Sequence, residues 1–353
     1  MMKRTAFLFP LLALLGLTAG TAPVMGQNPA PRLDNSDGYF IEQPDATKYA
    51  VILVGPTVGD DTTDQFTQWA YALHDILVRD YGYSSDTISL LMGRGADDFS
   101  EGSRVDGACD LLSIQSQFAD LKARVTEGDQ VSVFLIGHGT GAQEEAKFNI
   151  VGPDITGPEF AEILDQFNEQ SMVVVNTTSA SYGFSTFLSD EGRVVISATR
   201  SASEKFDPVF SRYFIESLEN RNGDRDKNNR VSMLEAFTYA RQSVNLWYEE
   251  QGRLASEHAG LDDNGDGMFT LEPAQGNEDG RLAEIAYLDI LASDDENLGP
   301  QSLALKARMR ELERAVVVLR GRKVDYLEND YWQRMEQLLI ELSRTTGEFN
   351  ELQ

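Results

Sequence analysis

Apolar runs of five to seven residues recur along the first two thirds of the chain. Between them lie stretches in which apolar residues return every third or fourth position. Tyr49–Val54, Thr87–Met92, Gln130–Ile136, Ser171–Asn176 and Arg193–Ser197 read as strands. Gln130–Ile136 is nearly all apolar and reads as a central one. Phe148–Val151 reads as half of a small hairpin. Asp64–Tyr81 places Phe66, Trp69, Leu73, Ile76 and Leu77 on one helical stripe. Leu111–Val125, Gly157–Phe167 (opened by Pro158) and Pro208–Leu218 read as helices too. This alternation predicts an α/β fold: a mostly parallel sheet sandwiched by helices, with ligands bound beyond the carboxyl ends of the strands.

The pattern changes near residue 220. Two Asp/Asn/Gly clusters flank a helical stretch over Ser232–Gln251, and a polar segment follows at Ser293–Pro300. Two long helical patterns close the chain, Leu303–Leu319 and Val324–Leu342, with Leu305, Met309, Leu312, Val316 and Leu319 in register and Gly321 between them. They read as a C-terminal helical hairpin, expected to serve packing, self-association or contact with a partner. The chain therefore divides into 1–26, 27–48 (a Pro-, Asn- and Asp-rich leader), an α/β domain over 49–219, a helical region with the acidic clusters over 220–292, and the hairpin over 293–353.

Composition narrows the function. The 353 residues are 41% hydrophobic, enough for a sizeable core, but the net charge is −27. Such a polyanion repels nucleic acid and anionic membranes and favours divalent cations or basic partners. At the N-terminus, Lys3 and Arg4 precede the apolar run Ala6–Leu17 and then small residues, the pattern of a signal peptide. The chain is thus expected to be secreted or periplasmic. That run is too short to span a membrane comfortably, and no other segment reads as membrane-spanning. The single cysteine, Cys109, excludes an intrachain disulfide and is expected to be a small buried residue.

Candidate chemistry falls just past two core strands. One ends in Gly137-His138-Gly139-Thr140, the other in Asn176-Thr-Thr-Ser179-Ala-Ser181-Tyr-Gly183-Phe184. Glycines beside a histidine let backbone approach a ligand and leave an amide free to donate. The order strand–helix–strand–helix–strand-His-Gly, then a strand followed by Thr178-Ser179-Ala180-Ser181 with Gly183-Phe184, resembles the caspase/legumain peptidase clan. Val194–Ser201 is similar to that clan's next strand and specificity loop, and Phe210–Phe214 to the helix after it. The resemblance covers roughly 48–218 and is closer to bacterial legumain-like proteins than to caspases. It implies a caspase-haemoglobinase-like fold and a Cys–His dyad, with the glycine after the histidine donating to the oxyanion. His138-Gly139 matches the first motif, and Ser179 stands at the cysteine position.

A thiol is partly ionised near neutrality, whereas a serine hydroxyl needs a base in direct contact, itself oriented by a third group. Three readings follow. The chain is a degenerate peptidase that retains His138 and a peptide groove. Alternatively it is a working hydrolase using Ser179 or Ser181 with His138, for which the sequence names no orienting carboxylate. The third reading is a calcium-dependent adaptor. The ligand is expected to be a peptide or protein, with no organic cofactor.

Asp224, Asp226, Asn228, Arg230 (through its carbonyl), Ser232 and Glu235 stand at positions 1, 3, 5, 7, 9 and 12 of an EF-hand-like loop, with Val231 at position 8. Asn229 takes the place of the usual glycine at position 6. A second loop places Asp262, Asn264, Asp266 and Thr270 at positions 1, 3, 5 and 9, but position 12 is Pro273 and Glu272 comes one residue early. Calcium is the expected ion for the first loop; the second is either a noncanonical calcium site or a relic of one. His258 reads as a surface histidine, since three histidines and no nearby cysteine make a poor zinc set.

Overall fold

A computed structural model describes residues 38–43, 46–57, 59–273, 279–290 and 298–352. The expected signal peptide and most of the leader lie outside the described residues. In chain order the strands are β1 (Lys48–Val54), β2 (Ile88–Met92), β3 (Gln130–Ile136), β4 (Gly139–Thr140), β5 (Lys147–Phe148), β6 (Ile155–Thr156), β7 (Ser171–Asn176), β8 (Arg193–Ser197) and β9 (Gly260–Asp262). The helices are α1 (Asp60–Tyr81), α2 (Leu111–Arg124), α3 (Gly157–Leu164), α4 (Ser181–Ser185), α5 (Phe210–Leu218), α6 (Met233–Glu250), α7 (Pro300–Gly321) and α8 (Glu328–Asn350).

The central sheet runs β2-β1-β3-β7-β8-β9. Its first five strands pair in parallel, and β9 closes one edge antiparallel to β8. Successive side chains of a strand point to opposite faces. Ala50, Ile52 and Val54 therefore pack with Phe66 and Leu73 of α1, Phe214 of α5 and Phe237 of α6. Tyr49, Val51 and Leu53 pack on the other face with Ile114 and Phe118 of α2 and Phe160 and Leu164 of α3. Both faces are covered, which is why the strands read as continuous apolar runs rather than alternating ones. A small three-stranded antiparallel sheet, β4-β5-β6, lies at the exit of β3, so the expected half hairpin near 148 is its middle strand.

Local chemistry starts the helices where it should. Thr156 and Glu159 form a reciprocal capping box at α3, Ser232 and Glu235 do the same at α6, and the Asp110 carboxylate accepts from Ser113 N at α2.

Residue 219 is not a boundary of the core. Val231, Met233, Phe237, Ala240 and Leu261, together with Leu282, Ile285 and Leu288, share one apolar cluster with β1 and α1. The segment beyond 220 thus supplies a helix and an edge strand to the α/β layer. The strand was hidden in the sequence because it is three residues long and its last residue opens the second acidic cluster.

The hairpin forms as α7 and α8, joined by a turn over Lys323–Asp325. Arg314 of α7 donates to the carbonyls of Tyr39 and Phe40 at 2.8 and 2.9 Å, and Arg320 pairs with Glu284. No helix among the described residues is long and apolar enough to cross a membrane.

Candidate functional site

The carboxyl ends of β3 and β7 meet at Gly139 and Ser179. Gly137 leaves β3 at φ 147°, a region open to glycine, and turns His138 out of the sheet. The His138 carbonyl accepts from Asn149 N at 3.0 Å, which ties the turn to the small sheet. Gly139 is needed for a second reason. A Cβ there would collide with the Ser179 carbonyl oxygen and come within 2.9 Å of Thr178 Oγ1.

The turn after β7 is held by Asn176. Its side-chain oxygen accepts from Thr178 N at 3.1 Å and Thr178 Oγ1 at 2.8 Å, while its amide donates to Ser185 Oγ at 3.1 Å. Ala180 sits in the left-handed region at φ 50°, uncommon for a residue with a Cβ, and its amide donates to the Glu204 carbonyl at 2.9 Å. Ser179 is buried. Its hydroxyl accepts from Gly139 N at 3.2 Å and lies 3.4 Å from Gly139 O.

His138 faces elsewhere. Its ring packs 5.3 Å from that of Phe66, and Nδ1 lies 2.8 Å from Asp207 Oδ1. A carboxylate offers only acceptors, so Nδ1 carries a proton toward Asp207. No hydrogen bond joins His138 to Ser179 among the described residues. Asp207 is the orienting carboxylate that sequence reasoning missed. It sits beyond β8, 69 positions after His138, in a loop whose sequence Ser203-Glu-Lys-Phe-Asp207 carries no spacing signal.

That loop is gripped from behind. Glu204 Oε1 lies 2.6 Å from His258 Nδ1, and Glu204 Oε2 accepts from the amides of His258 and Arg200, each at 3.0 Å. The neighbouring Glu257 is buried and accepts from Val209 N and Phe210 N at 3.0 Å, capping α5, and from the Tyr248 hydroxyl. Burial pushes Glu257 up to about 7, against the opposing pull of those donors. Glu257 and His258 therefore fix both ends of the segment that carries Asp207. His258, expected at the surface, is half-buried and bonded.

Ser181 lies apart from this chemistry. Its hydroxyl is fully buried among Ser197 Oγ (2.9 Å), Thr199 Oγ1 (3.0 Å) and Thr199 N (3.1 Å), so it ties α4 to the end of β8. Cys109 is buried as well, and burial pushes its thiol upward.

In the first acidic loop, one carboxylate oxygen from each of Asp224, Asp226 and Glu235 lies within 4.8 Å of the others. Oxygens sharing one calcium ion at 2.3–2.6 Å can be at most about 5 Å apart, so the three fit one ion. Asp224 receives Lys227 N at 2.8 Å and Asn229 N at 3.1 Å, and Asn228 receives Arg230 N at 2.8 Å, which coils the loop round its own carboxylates. Asn229 takes φ 65°, the conformation expected of the residue in the glycine position. Desolvation and the Glu235 carboxylate push Asp226 up to about 6. The Arg230 side chain points inward, with Nε 2.9 Å from Asp289 Oδ2, Nη1 2.9 Å from Glu42 and the guanidinium 3.7 Å from the Tyr287 ring centre. A cavity of about 1150 Å³ lies between this loop and α7, lined on the helix side by Glu313, Arg314 and Val317.

The second loop has the same coil. Asp262 receives Gly265 N at 2.9 Å and Gly267 N at 2.6 Å, Asn264 receives Asp266 N, and Asp266 receives Met268 N. It is flanked by β9 rather than by helices, and Leu261 exchanges backbone hydrogen bonds with Thr270 across it. Thr270 Oγ1 donates to Asp279, whose buried carboxyl is pushed up to about 7. Glu272 points away to Arg241, at 3.1 Å. The loop packs on α4, where Phe269 meets Tyr182 edge-on at 5.7 Å.

The sequence matches no family model and no curated protein. Among solved structures, the crystal structure of protein GSU0716 from Geobacter sulfurreducens is similar at a TM-score of 0.39 and 10% identity, over 61% of this chain and 92% of that one.

Proposed function

We propose that this chain is a secreted protein of the caspase/legumain peptidase type in which the peptide groove persists and the nucleophile does not. The observation that carries the reading is the disposition of three groups at the carboxyl ends of β3 and β7. His138 is oriented by Asp207, Gly139 presents its amide, and Ser179 stands at the cysteine position with its hydroxyl engaged by that amide. The donor that the family turns toward an oxyanion is here held by the hydroxyl. The base that would activate that hydroxyl makes no hydrogen bond to it. A serine so placed is a poor nucleophile at neutral pH. Secretion rests on the Lys3-Arg4 and Ala6–Leu17 pattern, and the calcium-binding EF-hand-like loop that carries Asp224, Asp226 and Glu235 completes the reading.

One observation favours a second reading, a working serine hydrolase. The His138–Asp207 pair supplies the third member that such a mechanism needs. The two readings part on a single comparison. Wild type and Ser179→Ala are assayed on a mixed fluorogenic peptide library in excess calcium. The first reading expects no difference between them, and turnover lost in Ser179→Ala contradicts it.

A further inference from the structure

Helix α8 turns Tyr331, Met335 and Thr345 inward, where the first two pack with Leu319 of α7. Another of its faces is open. Trp332, Glu336, Leu339, Ile340, Ser343 and Gly347 recur at steps of one to four residues and share it. Trp332 is 52% exposed, Leu339 48% and Ile340 53%, and they border a shallow groove along the helix. Leu327 before the helix and Leu352 after it are exposed as well.

Two opposite charges border this face. Arg308 pairs with Glu311 and Glu341, and Arg322 with Asp325. Glu336, within the stripe, and Arg344, eight residues on at its margin, make no ion pair among the described residues. Opposite charges two turns apart on one apolar face are complementary to their own reversed copy.

We propose that α8 is a self-association surface on which a second copy of this chain lays its own α8 antiparallel, with the twofold axis at Ile340. In that register Glu336 of each chain faces Arg344 of the other, twice over. Leu339 and Ile340 meet across the axis. Trp332 falls over the partner turn that carries Gly347, where a Cβ would meet nothing within 4 Å and an indole has room. The exposed Leu327 end meets the Leu352 end. A parallel pairing in register would instead set Glu336 on Glu336 and Arg344 on Arg344, and like charges so placed repel.

The test is sedimentation equilibrium of the full chain over a concentration series at about 0.15 M salt, where screening limits repulsion between two chains of net charge −27 to about 8 Å. The mass should rise toward twice that of one chain. Glu336→Arg should hold it at one chain, and Glu336→Arg combined with Arg344→Glu should restore the rise. Leu339→Asp with Ile340→Asp should remain single while its circular dichroism shows the fold intact. A wild-type chain that stays single throughout overturns the proposal and leaves the stripe to a different protein. A dimer indifferent to Glu336→Arg, or one the double charge swap fails to restore, overturns the antiparallel register.

Discussion

Asp207 Oδ1 lies 2.8 Å from His138 Nδ1, so the carboxylate beyond β8 holds a proton on that ring nitrogen. The chain has three histidines, which makes each ring a separable reporter. Asp207→Asn removes the charge that selects this tautomer. Long-range proton–nitrogen spectra should show one tautomer of His138 in the wild type and a mixture in the variant. A mixture already present in the wild type would mean that Asp207 does not orient the ring.

Gly139 is where the two halves of the site touch. Gly139→Ala drives a methyl group into the Ser179 carbonyl and toward Thr178 Oγ1, both on backbone that Asn176 holds firmly. Overpacking of this kind costs about 1–3 kcal/mol. Urea unfolding should show a loss of that size. An unchanged midpoint would mean that the β3 and β7 turns are looser than described.

Calcium should stabilise the folded chain. An ion bound only to the native state at a hundredfold excess over its Kd adds about 2.7 kcal/mol. Asp226→Asn keeps an oxygen to accept from Asn228 N but lowers the charge of the first loop. Thermal unfolding should therefore show a calcium-dependent rise in Tm that shrinks in the variant. A rise equal in both proteins would exclude the first loop as its source.

Glu257 makes stability depend on pH in a stated direction. Its folded value is about 7 against an ordinary 4.5. Between those limits the folded chain holds a proton that the unfolded chain has lost, so stability falls as pH rises through that window. Asp279, also raised to about 7, acts in the same sense. A shift of this size on a buried group corresponds to roughly 3–4 kcal/mol at most. Urea unfolding in chelator should give a lower stability at pH 8 than at pH 5, with a smaller difference in Glu257→Gln. Stability that rises over this range would contradict the burial of both carboxyls.

The buried charge beneath the first loop is a liability if broken. Arg230→Met leaves the fully buried Asp289 without its guanidinium partner, with Lys48 and Arg221 as the remaining nearby cations. Removing one member of such a pair costs about 3–5 kcal/mol. The measurement is the unfolding free energy of Arg230→Met against Arg230→Met combined with Asp289→Leu. The second change should recover part of the loss.

How much of this was legible in the sequence follows from what makes a signal local. The five parallel strands and their helices were readable because burial on both faces imposes continuous apolar runs. The placement of His138 and Ser179 past the ends of β3 and β7 was readable because apolar runs mark where those strands stop. The coil of the first acidic loop was readable because its acceptors sit at fixed offsets. Asp207 and the Glu204–His258 grip were not. Their partners are 69 and 54 positions away and come together only through sheet order. β9 escaped because three residues carry no period. The bonds of Ser181 to Ser197 and Thr199 were not readable for a related reason: those partners lie 16 and 18 positions away and meet it only through the fold.

The most direct test of the central claim is Ser179→Cys, labelled with an electrophilic peptide probe and assayed for peptide turnover beside Ser179→Cys/His138→Ala. Labelling and turnover that appear with the cysteine and vanish without His138 are the expected result, since a thiolate needs less of its base than a hydroxyl does. A cysteine variant that neither labels nor turns over peptide, in a chain that still unfolds cooperatively, would contradict a retained groove.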